Sequence, residues 1–230
     1  MWLATLVALV VAAGGHEWAR LCRISNAGAL LYALAIAVAF GALFGYGGPA
    51  LRFALAAAAV FWVLIVPLWL ARGVKPDQRL PLMAAGFVVL VPAALALAGL
   101  PPATVLEVLV LVWIADTAAY FVGRAWGRRK LAPDISPSKT WEGVWGGIAG
   151  AVAYAIIGSI FQAGFGAWPV YAVVAVVLSA ISIVGDLFES AAKRQAGVKD
   201  SGTLLPGHGG ILDRVDSATA ALPIAALLFL

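Results

Sequence analysis

The sequence predicts an all-α, polytopic transmembrane bundle of about eight membrane helices with a polar cavity facing the cytoplasm. Composition comes first: 63% of the 230 residues are hydrophobic and only 11% are charged, whereas soluble domains are roughly half apolar and a quarter charged. A mean hydropathy of +1.01 is more apolar surface than a water-soluble fold can hide. Secondly, the apolar residues run in continuous stretches about as long as a bilayer crossing. Runs such as Ala54–Val66 lack the ten-residue alternation of a membrane barrel. Thirdly, acidic residues deep in apolar sequence lead into long polar connections, which places a polar site toward one membrane face.

Windows of about twenty residues divide the chain into spans 1–15, 27–46, 50–71, 80–99, 103–123, 143–165, 168–188 and 215–230. Helices are the default because backbone groups in lipid must pair internally. The first span has no charged leading region and no cleavage pattern before His16-Glu17-Trp18, so it reads as a membrane helix rather than a signal peptide. His16, beside Glu17 and Trp18, reads as an interfacial residue. Spans one to four contain no Asp or Glu and read as scaffold and lipid contact, with Gly41 and Gly45 at close helix approaches. The fifth span carries Asp116 and the seventh carries Asp186 near its end. Both chain ends are apolar and read as short for a crossing or as lacking residues. The division that follows is an N-terminal transmembrane scaffold, 1–100, and a C-terminal transmembrane catalytic region, 101–230.

Every Lys and Arg except Arg52 falls in an odd-numbered connection, so the positive-inside rule places those connections in the cytoplasm. The net charge is +4, but the basic residues sit between apolar runs rather than on one amphipathic face. Nucleic acid is therefore not expected; membrane lipids and an anionic nucleotide are. The lone Cys22 excludes an internal disulfide framework and reads as a small buried filler. The apolar helices offer surface for a homodimer, though no face declares itself.

An ionisable group within a membrane helix is costly and marks function by default. Asp116, Tyr120 and Arg124 recur at i, i+4 and i+8 and so line one helical stripe, either as part of a cavity or as a self-satisfying ladder. Asp186, Glu189, Ser190 and Lys193 share a second face, which runs on through Arg194, Lys199, Asp200 and His208-Gly209-Gly210 to Asp213, Arg214, Asp216 and Ser217. Carboxylates on two helix ends, joined by a glycine-rich turn with lysines, suit a magnesium–polyphosphate site. Mg²⁺ takes few carboxylates plus water and phosphate oxygens, and glycine N–H groups and cations offset moving phosphate charge. Helix capping is the alternative for Asp216. Ser136, Ser138, Lys139 and Thr140 lead into the sixth span, whose N-terminus favours anions; Ser138 is the expected cap, and Trp141 is placed to stack on a base or to join the interfacial belt.

Ser190-x2-Lys193-Arg194-x4-Lys199-Asp200-x7-His208-Gly209-Gly210-x2-Asp213-Arg214-x-Asp216 resembles the signature of the phosphatidate cytidylyltransferase, or CDP-diacylglycerol synthase, family. Trp113-x2-Asp116-Thr117-x-Ala119-Tyr120-x2-Gly123-Arg124, followed by Ile135-Ser136-Pro137-x-Lys139-Thr140-Trp141-Glu142-Gly143, is similar to a second block of that family. The resemblance covers about 105–220, and the chain looks shorter at its N-terminus than bacterial members. It implies transfer of CMP from CTP to phosphatidic acid in a bacterial inner membrane. It also implies a metal centre on Asp186 and Asp213, holding Mg²⁺ and, as a second candidate, K⁺; Asp216 and Asp200 are kept as further ligands. Lys193, Lys199, Arg214 and Lys139 are the expected phosphate contacts. Asp116 organises the cavity, with Ser136, Thr140, Ser190, Arg194, His208, Gly209 and Gly210 around the substrate. His208 is read as a hydrogen-bond donor or a turn-ordering residue, not a base. An ion-coupled transporter, the reading from another class, would repeat its carboxylates in both halves, which this chain does not.

Overall fold

The computed structural model describes residues 2–73, 78–162, 167–202 and 209–230. The chain is an integral membrane protein built as a helical bundle, with α1 (Trp2–Leu21), α2 (Asn26–Tyr46), α3 (Gly48–Val60), α4 (Val66–Arg72), α5 (Arg79–Gly99), α6 (Pro102–Trp126), α7 (Trp141–Gln162), α8 (Trp168–Gln195) and α9 (Leu212–Phe229). Among the described residues seven helical stretches are long and apolar enough to cross a membrane, α3 and α4 counting as one stretch, Gly48–Arg72. The eighth expected span corresponds to α9, which differs for a clear reason. It has 18 residues and spends its first turns on Asp213, Arg214 and Asp216.

What α9 lacks in length it makes up in burial: every residue from Ser217 to Ala226 is buried. A helix that is apolar all round belongs at the centre of a bundle, and α9 packs against α3, α5, α6 and α8. Its alanines, among them Ala218, Ala220, Ala221, Ala225 and Ala226, let those neighbours approach closely. The bundle axis therefore ends in carboxylates.

α3 and α4 join through a π-helical turn at Phe61–Ile65. Pro67 has no N–H to offer the preceding turn, and its ring crowds the carbonyl four residues back. The ladder relaxes by widening, and the Val66 N–H bonds the Phe61 carbonyl instead. The turn buries Phe61 and Trp62 and leaves Val63, Leu64 and Ile65 on the exposed face.

The close helix approaches differ from expectation. A Cβ added at Gly41 or Gly45 would meet nothing within 4 Å, whereas one at Gly143 or Gly147 would fall 2.9 Å from the Ala119 or Ala115 carbonyl oxygen. The small-residue seam is thus between α7 and α6, and it sets the spacing between α6, which carries Asp116, and α7, which directly follows the strand that carries Lys139.

A short antiparallel hairpin, β1 (Lys130–Ala132) and β2 (Ser136–Thr140), occupies the connection that the sequence left as loop. Glu142 fastens it by accepting the Arg128 N–H at 3.0 Å and the Arg129 N–H at 3.2 Å. The cap of α7 is Thr140, whose Oγ1 accepts the Gly143 N–H at 3.2 Å; Ser138, the expected cap, is a strand residue with an exposed side chain.

α1 runs past its expected end, so Glu17 and Trp18 are buried, at 5% and 1% exposure. Trp18 donates to the Leu82 carbonyl at 2.8 Å, and Tyr32 to that of Met83 at 2.6 Å. Phe188 of α8 sits at the centre of an aromatic cluster, with ring centroids of Trp69, Phe61, Trp62 and Trp18 at 5.3, 5.6, 5.8 and 6.1 Å. The N-terminal helices thereby hold the end of α8 two residues beyond Asp186. Cys22 is buried, as read from sequence, and burial pushes its thiol up to about 12.

Candidate active site

A cavity of about 510 Å³ lies between α6, the hairpin, α7, α8 and α9. Asp116 and Arg124 enter it from α6, Lys139 from β2, Asp186 from α8 and Asp216 from α9. Four sequence-distant segments converge because α6 and α7 meet along the glycine seam and α8 and α9 pack beside them. Lys139 pairs with Asp186 through its Nζ and Asp186 Oδ2, and Ser190 Oγ donates to the other oxygen at 3.2 Å.

The stripe on α6 splits between its two readings. Arg124 donates to the Tyr120 hydroxyl at 2.9 Å, as a ladder would have it. Asp116 instead accepts the Ser217 hydroxyl of α9 at 3.3 Å, a contact between helices. Asp216 accepts the Ser217 N–H at 2.8 Å; it lies a full turn inside α9, so it does not cap that helix's start.

Asp213 is committed to a second cluster, beside the cavity rather than among its lining residues. Its Oδ1 accepts Lys193 Nζ at 2.8 Å, and Lys193 also reaches Glu189 at 3.2 Å. Its Oδ2 accepts the Ser201 N–H at 2.9 Å, the Ser201 hydroxyl at 2.8 Å and the Gly210 N–H at 2.8 Å. The glycine pair has a structural reason here. Gly209 takes φ +84° with Asp213 Oδ2 packed where a Cβ would stand, and a Cβ at Gly210 would fall 2.3 Å from Ser201 Oγ and 2.5 Å from Glu17 Oε2.

Arg194 holds the hairpin turn through the Ile135 carbonyl at 3.3 Å. Ser136 is half-buried in β2, paired across the hairpin with Ala132. Lys199, Asp200 and Arg214 are exposed. His208 lies outside the described residues.

The residue that sequence reasoning missed is Glu17. Its carboxylate accepts the Ile211 and Leu212 N–H groups, both at 3.0 Å, and the Ser201 hydroxyl at 3.2 Å. The available signal is an acidic residue followed by tryptophan at the end of an apolar run, where the sequence reading assigns a role only to the neighbouring His16.

Among the described residues no three His, Cys, Asp or Glu side chains converge closely enough to hold a metal alone. Both carboxylates expected to bind metal are nonetheless arranged around a cation, Asp186 around Lys139 and Asp213 around Lys193. An all-oxygen donor set with few protein ligands fits Mg²⁺, which completes its shell with water and phosphate oxygens.

The model of the cytidylyltransferase family matches residues 1–230. The chain is 42% identical to a phosphatidate cytidylyltransferase of Pseudomonas aeruginosa over 238 residues, covering 99% of this chain and 87% of that protein. It is 50% identical to those of Haemophilus influenzae and Brucella suis over 128 and 127 residues. Those two alignments take in 54% and 55% of this chain and only about half of each relative, 44% and 46%. With the family model matched from the first residue to the last and a relative 42% identical across 99% of the chain, the chain belongs to the cytidylyltransferase family.

Proposed function

We propose that this protein is a CTP:phosphatidate cytidylyltransferase, making CDP-diacylglycerol and pyrophosphate for phospholipid synthesis. The observation that carries this reading is the meeting of Asp116, Asp186 and Asp216 with Lys139 and Arg124 on one cavity. A phosphate oxygen of phosphatidate attacks the α-phosphorus of CTP in line. The new P–O bond forms as the bond from the α-phosphorus to its bridge oxygen breaks, and the electron pair leaves with pyrophosphate. No protein base is needed, because a phosphate monoester with a second pKa of about 6 is already largely dianionic.

The protein's work is positioning and charge stabilisation. Lys139, Lys193, Lys199 and Arg214 contact phosphate oxygens, while Asp116 fixes α9 against α6 through Ser217. Asp186 and Asp213 would hold Mg²⁺, with Asp216 and Asp200 as further ligands and K⁺ as the candidate second cation. When bound, the metal neutralises triphosphate charge. The odd-numbered connections face the cytoplasm of a bacterial inner membrane, so CTP enters from that side and the lipid sideways from the inner leaflet. Residues 101–230 carry the chemistry, and 1–100 serve as scaffold.

The test is Mg²⁺-dependent formation of CDP-diacylglycerol by the detergent-purified protein, beside Asp186→Asn and Asp213→Asn. Wild-type product with pyrophosphate, and loss of orders of magnitude in both folded variants, is expected. A wild type that makes no cytidyl lipid under conditions where a positive-control enzyme does would overturn the assignment.

A further inference from the structure

We infer that Glu17, on the first helix, is a positioning residue for the reaction proposed above. It acts by fixing the start of α9 and, through Ser201, the orientation of Asp213. Glu17 is 5% exposed, yet its carboxylate does not lie among the residues lining the cavity. Among the described residues its three donors all belong to the C-terminal signature region: Ser201 Oγ and the Ile211 and Leu212 N–H groups. The two N–H groups open α9, where a helix leaves donors unsatisfied and a carboxylate is stabilised by the helix dipole. The N-cap residue of α9, Ile211, makes no side-chain cap hydrogen bond of its own. A residue nearly two hundred positions away supplies what Ser, Thr, Asp or Asn supplies elsewhere.

Ser201 makes the connection to the chemistry. Its hydroxyl lies 3.2 Å from Glu17 Oε2 and 2.8 Å from Asp213 Oδ2. One hydroxyl proton serves one carboxylate at a time, so the two acids are coupled through it. Gly202 and Gly210 complete the arrangement: a Cβ would fall 2.6 Å from Glu17 Oε1 at the first and 2.5 Å from Oε2 at the second. The carboxylate is therefore walled in by chain that has no side chain to yield. α1 is held at the same level by two further contacts with the catalytic half, Trp18 against Phe188 and, just beyond the helix, Arg23 on the Gln195 carbonyl at 3.3 Å. Glu17 thus reaches Asp213 from a fixed base, and Asp213 in turn holds Lys193.

The inference rests on the proposed activity, and its test keeps the two separable. Full-length wild type, Glu17→Gln, Ser201→Ala and the double variant are compared by steady-state kinetics and by hydrogen exchange of the Ile211 and Leu212 amides in detergent. Glu17→Gln is expected to lower kcat about tenfold or more with KM for CTP changed less than about twofold, the pattern of lost positioning rather than lost ground-state binding. Its two amides should exchange about tenfold faster. The double variant should fall short of the sum of the two single effects, because both variants remove the shared contact through the Ser201 hydroxyl. A folded Glu17→Gln protein with unchanged kcat and unchanged exchange overturns the inference, as does full additivity in the cycle. If Glu17→Gln fails to fold, Ser201→Ala, which leaves both N–H contacts of Glu17 intact, must still lower kcat about tenfold at constant KM for CTP; an unchanged kcat there also overturns it. A wild type without activity defeats the functional proposal, while the exchange comparison still decides whether Glu17 anchors α9.

Discussion

Gly86 shows how much one hydrogen atom decides. A Cβ there would stand 2.2 Å from the Tyr32 hydroxyl and 2.5–2.6 Å from the Trp18 indole, the two groups that tie α1 and α2 to α5. Overpacking of this kind costs about 1–3 kcal/mol, so Gly86→Ala is expected to lower the thermal midpoint in detergent by several degrees. An unchanged midpoint would mean that the ring contacts yield freely. Cys22 makes a second prediction at this scale. With its thiol buried and titrating at about 12, it is protonated at about pH 8 and offers no thiolate to an alkylating reagent. Maleimide labelling is expected only after denaturation; rapid labelling of the folded protein would contradict the packing around α1.

Among the elements, α8 shows how the two halves of the chain depend on each other. At 28 residues and about 1.5 Å per residue, it is longer than a hydrocarbon core of about 30 Å. Part of it therefore lies outside that core, and its last turns carry Ser190, Lys193 and Arg194. What keeps that end in place is Phe188, enclosed by aromatic rings from α1, the π-turn and α4. Phe188→Ala should cost about 3–5 kcal/mol through the cavity left behind. Turnover should fall with it, since Asp186 and Lys193 ride on the same helix. Retained stability with lost turnover would place the aromatic cluster in alignment alone.

For the whole molecule, ligand binding should appear as stability. A ligand present at a hundred times its dissociation constant adds about 2.7 kcal/mol to a protein that binds it only when folded. CTP with Mg²⁺ is therefore expected to raise the thermal midpoint, chelation to reverse the rise, and Asp186→Asn to abolish it. A rise with CTP that survives both would relocate the metal or the nucleotide.

The bundle and its spans were legible from local chemistry alone, because a bilayer imposes a length and an apolar composition that any window of sequence reveals. The polar sets on α6, α8 and α9 were legible for the same reason: Asp116, Asp186 and Asp213 stand out against apolar helix. Gly41 and Gly45 show the limit of such reading. Small residues permit close packing, but only a partner helix decides whether it occurs, and here the partner met α7. Glu17 shows the same limit from the functional side. In sequence it is an acid at the end of a short apolar run, and its donors lie almost two hundred residues away. Composition and periodicity determined the solvent, the element type and the faces that carry charge, since each depends on neighbours along the chain. Only the tertiary structure decided which faces meet, because contacts between distant segments depend on how every helix packs at once.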